Sequence, residues 1–176
     1  MVSAKEYIKK LIIENVNRFI DKLDEESAEY ILKRGYHLSI LFSIRRWVGF
    51  IVEYEGIKIL MKKYGKNNVK IKSNRSFDVI CNNENETVFI EIKGSTTPGH
   101  VYRKFKKFLK FIENNDNIRK LFINGKSKYV ILILRRNDKI VLDLTDYVVK
   151  AIENNSRYNR TRVYREVRKY IEEYIR

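Results

Sequence analysis

The chain has 176 residues, 44% hydrophobic and 34% charged, with a net charge of +15; this excludes intrinsic disorder and favours a polyanionic partner, nucleic acid before an anionic membrane. A single cysteine, Cys81, excludes an internal disulfide and a cysteine-built zinc cluster. No run reaches the roughly 18 apolar residues a membrane span needs, and residues 1–20 alternate charged and apolar side chains, unlike a signal peptide. The expectation is therefore a soluble, cytoplasmic (intracellular) protein with no membrane partner.

Residues 7–23 carry Tyr7, Ile8, Leu11, Ile12, Val16, Phe19, Ile20 and Leu23 at spacings of three and four, an amphipathic helix with Ser3 as N-cap. A short helix is expected over 25–33, stopping at Gly35. A longer one over 38–63 has the stripe Ile44, Trp47, Val48, Ile51, Val52, Ile57, Leu60 and Met61 and ends before Gly65. The period then shortens to two, predicting strands at 69–72, 76–81 and 87–93, the last two joined by the polar turn Asn82-Asn-Glu-Asn-Glu86. A break at 94–99 holds the only proline, Pro98, and a basic helix over 100–114 turns Val101, Phe105, Phe108, Leu109 and Ile112 inward.

The continuous apolar run at 129–134 reads as a strand buried on both faces. A turn at 135–139 leads to a strand at 140–144, and helices at 146–153 and 161–175 close the chain. No repeat, low-complexity tract or linker appears, so 1–176 is expected to be a single α/β (α+β) domain around one central sheet. Residues 1–30 hold five basic and seven acidic side chains, whereas 101–136 hold eleven and two, and the last twenty residues hold seven and three. Partner binding is expected in the second half, with the N-terminal helices serving scaffold or assembly.

Chemistry concentrates in the second and third strands. Side chains at i and i+2 share a strand face, so Glu91 and Lys93 point one way while Val88, Ile90 and Ile92 point into the core. In the neighbouring strand Phe77, Val79 and Cys81 share the apolar face, and Asp78 projects from the opposite one. Pairing through the 82–86 turn brings Asp78 near Glu91, with Lys93 beside them. Two carboxylates repel unless a cation lies between them, and a hard ion such as Mg²⁺ suits an oxygen-only site. Such an ion polarises a phosphoryl oxygen and acidifies bound water, and Lys93 can orient or deprotonate that water and neutralise developing charge. The chemistry fits phosphodiester hydrolysis. The plain alternative is a solvated sheet face with surface ion pairs.

Asp78, twelve intervening residues and Glu91-Ile92-Lys93 resemble the PD-(D/E)xK nuclease superfamily, which includes restriction endonucleases, archaeal Holliday-junction resolvases and Mrr-like and RecB-like nucleases. Phe77 stands where the motif has proline. The resemblance implies a restriction endonuclease-like core over 38–144, with an antiparallel three-strand meander in a mixed sheet, a helical extension at 1–37 and basic helices at 145–176. It implies Asp78, Glu91 and the Ile92 carbonyl as metal ligands and Lys93 as the catalytic lysine. A helix glutamate often joins them a few residues after a glycine. Gly49-Phe-Ile-Val-Glu53 supplies Glu53, on the stripe of Ile57 and Leu60; Glu55, grouped with Ile59 and Lys62, is the alternative.

The implied activity is a Mg²⁺-dependent endonuclease on DNA, with Mn²⁺ able to substitute and no small-molecule organic cofactor, structure-selective or of low sequence specificity. Cutting two strands needs two sites, so a homodimer is expected. The rivals are a restriction-type sequence-specific enzyme and a non-catalytic DNA-binding module on the same fold, which would bind with a steep salt dependence and need no metal. Ser95, Thr96 and Thr97 stand where they could donate to a phosphate or cap the next helix. Arg75, Arg103, Lys104 and Lys107 are candidate DNA contacts. Arg157, Arg160, Arg162, Arg165 and Arg168, interleaved with Tyr158 and Tyr164, form a further candidate surface. His37 and His100 lack partners at metal-ligand spacing and read as structural, and Trp47 reads as core.

Overall fold

The structure is a computed structural model that describes residues 24–26, 44–72, 76–94, 96–135, 138–153 and 157–175. The helices expected at 7–23 and, apart from Glu25 and Glu26, at 25–33 lie outside these residues, as do His37 and positions 38–43. The chain divides into two compact units, Met1–Tyr54 and Glu55–Arg176. The units part inside a helix.

That helix, α1 (Ile44–Tyr64), ends at Gly65, whose φ of +86° only glycine adopts without strain. In the first unit the Tyr54 hydroxyl donates to Glu26 Oε2 at 3.0 Å. The second unit continues with a 3₁₀ turn, Lys66–Asn68, and strands β1 (Val69–Ile71), β2 (Val79–Asn82) and β3 (Thr87–Lys93). Helices α2 (Pro98–Glu113) and α3 (Asp116–Ile123) lead to β4 (Ser127–Leu134) and β5 (Lys139–Asp143), and α4 (Thr145–Glu153) and α5 (Arg157–Ile175) follow. The strands form one sheet in the order β1-β2-β3-β4-β5. Only the β3–β4 pair is parallel, so the chain crosses over through α2 and α3 between them, and the first three strands form an antiparallel meander. The architecture is α+β with a five-stranded mixed sheet. No helix among the described residues is long and apolar enough to cross a membrane.

The turn between β2 and β3 closes as its composition predicts. Asn83 Oδ1 accepts the Asn85 and Glu86 amides at 3.0 and 2.7 Å, an Asx turn that replaces strand pairing. Pro98 opens α2, where its missing N–H costs nothing.

Three expectations need correction. Strand β2 starts at Val79 instead of 76, because the chain bends at Ser76 and Asp78. Phe77 therefore leaves the face of Val79 and Cys81 and packs edge-on against Phe89 and Phe111, with centroids 5.2 and 5.3 Å away. Helix α3 had no counterpart in the periodicity, since its eight residues bury only Phe122.

The sheet packs on both faces, and β3 is buried throughout its interior positions. On the face carrying Val88, Ile90 and Ile92, a Cβ added at Gly56 of α1 would lie 2.7 Å from Ile92 Cγ2. Glycine there lets helix backbone and strand approach. Ile57 and Leu60 are buried and Ile59 is exposed, matching the predicted stripe. Under α2 the opposite face is aromatic: Phe77, Phe89, Phe108, Phe122 and Tyr129 are all enclosed, and Tyr129 stacks on Phe108 at 3.7 Å and 8°.

Candidate active site

The β2–β3 ladder ends at the pair Val79–Ile90. One residue earlier, the Asp78 amide still donates to the Ile90 carbonyl at 2.9 Å. Antiparallel strands direct both backbone polar groups of alternate residues to the same neighbour. Past the ladder's end, Ile92 therefore presents its N–H and C=O towards the β2 side with no strand partner. Side chains take them: Ile92 N–H donates to Asp78 Oδ2 at 2.8 Å, and Lys93 Nζ donates to the Ile92 carbonyl at 2.8 Å. The end of strand pairing creates the site.

Glu91 shares the α2 face with Phe89 and is 0% exposed; Asp78 is 9% exposed. The solvated-face alternative does not hold for either. Lys93 Nζ lies 2.5 Å from Glu91 Oε1 and 3.6 Å from Asp78 Oδ2. Three oxygens, from Asp78, Glu91 and the Ile92 carbonyl, thus gather around one ammonium. From α2, Lys104 Nζ also reaches Glu91 Oε1 at 2.5 Å. Glu91 Oε2 is enclosed and has no hydrogen-bond partner among the described residues, and the same holds for the Tyr129 hydroxyl.

Burial raises the Asp78 carboxyl above its ordinary pKa, with Glu91 adding to the effect and Lys93, the Ile92 amide and Lys104 opposing it. Tyr129 is pushed well above the usual phenol value by burial, then by Glu91 and Asp78. His100 is lowered by burial and by the cations Lys93, Arg103, Lys104 and Lys107. Acid lies beneath and base around the rim. Cys81, buried in the sheet, is raised to about 12 by burial and is inert as a nucleophile or ligand at neutral pH.

The donor set fits a hard cation, because its oxygens already converge on a positive charge. Among the described residues no group of three or more His, Cys, Asp or Glu side chains is disposed to hold a metal. A cation here would rest on two carboxylates, the Ile92 carbonyl and water. Glu53 lies on α1 in the first unit and is half-buried. Glu55, its alternative, is exposed and paired with Lys58 at 2.7 Å.

Of the candidate DNA contacts, Arg103 and Lys107 are exposed on α2, whereas Lys104 turns inward to Glu91. Its position carries a legible signal, three residues after Val101 and four before Phe108, on the buried stripe. The Thr96 hydroxyl is enclosed without a hydrogen-bond partner among the described residues. Of the three capping candidates Thr97 is the N-cap of α2, and it makes no side-chain cap bond. Arg75 and Ser95 lie outside the described residues. On α5, Arg160 pairs with Glu113, Arg162 with Glu166 and Arg168 with Glu172, while Arg165 is exposed. Tyr164 packs edge-on against Tyr102 at 6.3 Å, so it serves the core.

No family model matches the chain, and no curated protein matches it. The crystal structure of SSO0001 is similar to it with a TM-score of 0.37 and 12% sequence identity, over 84% of each chain.

Proposed function

We propose that this chain is a Mg²⁺-dependent endodeoxyribonuclease of the PD-(D/E)xK type, with a restriction endonuclease-like core, cutting DNA by structure or with low sequence specificity. One observation carries the reading: Asp78 Oδ2, Glu91 Oε1 and the Ile92 carbonyl gather around a single cationic group at the end of a strand, beneath a basic helix. Mg²⁺ held by Asp78, Glu91 and the Ile92 carbonyl would supply Lewis acidity to a phosphoryl oxygen. The Ile92 amide fixes the Asp78 carboxylate, and burial fixes Glu91. Lys93 places its ammonium where it orients the attacking water and neutralises charge developing on the phosphate. Arg103 and Lys107 engage backbone phosphates and set the register of the duplex. Cleaving both strands calls for two copies of the site, hence a homodimer.

A second reading has an observation in its favour. Lys93 and Lys104 already match both carboxylates, as in a buried ion-pair network that only holds the sheet; the protein would then bind DNA without cutting it. Supercoiled plasmid, linear duplex and a four-way junction, incubated with Mg²⁺ or EDTA, separate the two. The nuclease reading expects metal-dependent cleavage by wild type that is lost in Lys93→Ala. Discrete fragments would assign a restriction-type enzyme. Binding without cleavage in Mg²⁺ or Mn²⁺ would sink the catalytic reading.

A further inference from the structure

Lys104 is one cation more than a two-carboxylate metal site needs. Lys93 reaches all three oxygens of the cluster, but Lys104 touches only Glu91 Oε1, at 2.5 Å. With both lysines in place the formal charges of the cluster cancel, so an arriving divalent cation meets a neutral site and an oxygen already shared by two ammonium groups. One of them must yield. Lys93 stands on β3, bonded to the strand's own carbonyl. Lys104 reaches in from α2 on a flexible four-carbon stem, and its side chain remains 18% exposed. The helix itself is held by Phe105 and Phe108, both 0% exposed, so the side chain can swing while the backbone stays. Outward, its way leads to the exposed rim of Arg103 and Lys107.

We propose that Lys104 is a resident counter-ion of Glu91, released when a divalent cation binds and then taken up by a nucleic-acid phosphate. The inference rests on the nuclease reading for the identity of both ligands. Cation and nucleic acid then strengthen each other's binding through this one side chain, and linkage makes the effect reciprocal.

Calcium, an oxygen-seeking ion, serves as the probe. Calorimetric titration of Ca²⁺ into wild type, Lys104→Met and Lys104→Gln without nucleic acid should show both variants binding roughly fivefold tighter or more; the glutamine still donates to Oε1, which protects the test if the methionine variant fails to fold. Duplex affinity, read by fluorescence anisotropy in Ca²⁺ and in EDTA, should improve with Ca²⁺ by a larger factor in wild type than in either variant. Equal or weaker Ca²⁺ binding by the variants overturns the proposal, as does an unchanged Ca²⁺ effect on duplex affinity. If Mg²⁺-dependent cleavage persists alongside that result, only the counter-ion role fails. If no form binds Ca²⁺ and wild type cuts nothing, the nuclease reading falls with it.

Discussion

Under helix α2 one sheet face has two unlike halves. At one end Phe77, Phe89, Phe108, Phe122 and Tyr129 pack ring against ring. At the other, one turn of helix away from Phe108, Lys104 meets Glu91, with Asp78 and Lys93 beside it. Both halves are enclosed, but only the first gains free energy from enclosure, because apolar burial stabilises whereas burying charges costs desolvation that pairing only partly returns. A buried acid cluster beside an aromatic core therefore draws on the stability that the rings supply.

Opposite responses in the two halves would sharpen this contrast. The largest effect on folding is expected from Phe108→Ala, which should lose about 3–5 kcal/mol in urea unfolding by opening a cavity below Tyr129; a loss under 1 kcal/mol would break the comparison. Asp78→Asn should behave in reverse, cutting cleavage by roughly a hundredfold or more on the proposed mechanism while raising the melting temperature in EDTA at neutral pH. Burial lifts the Asp78 pKa, so the folded state bears a charge penalty above that raised value, and the penalty vanishes below the unfolded carboxyl pKa of about 3.9. The gain from Asp78→Asn should therefore be full at neutral pH and fade as pH falls towards 4. Melting curves at pH 4 and 7 check it.

Smaller effects come from outside the contrast. Gly56→Ala puts a methyl against Ile92, and the overpacking, partly offset by helix propensity, should cost roughly 1 kcal/mol on balance. Because Ile92 supplies both backbone groups of the site, Ca²⁺ affinity should fall as well. Arg162→Ala and Arg168→Ala break exposed pairs one helical turn apart on α5. Each should change stability by no more than about 0.5 kcal/mol, and a larger loss would mean that α5 bears on the fold through its charges.

Alternation made much of the site legible. Glu91 and Lys93 interrupt an apolar strand two residues apart, and the 82–86 turn fixes which residues of β2 and β3 meet. Strand period fixes faces, so the meeting of Asp78 and Glu91 follows from sequence. Periodicity misplaced Phe77, because a bend before β2 resets the alternation. It missed α3, whose single buried residue leaves no stripe.

Sequence alone thus determined the elements of the meander, the buried stripe of α2, the surplus of basic charge and the residues of the acid cluster, since all of these follow from local periodicity and composition. Only the tertiary structure decided that Glu91 is fully enclosed, that the backbone groups of Ile92 bond to Asp78 and Lys93 side chains past the end of the ladder, and that Lys104 faces Glu91. The parallel β3–β4 pairing sinks Glu91 in the middle of the sheet and lays α2 across it. Burial depends on what packs over a strand, and that is set by residues far away in the chain.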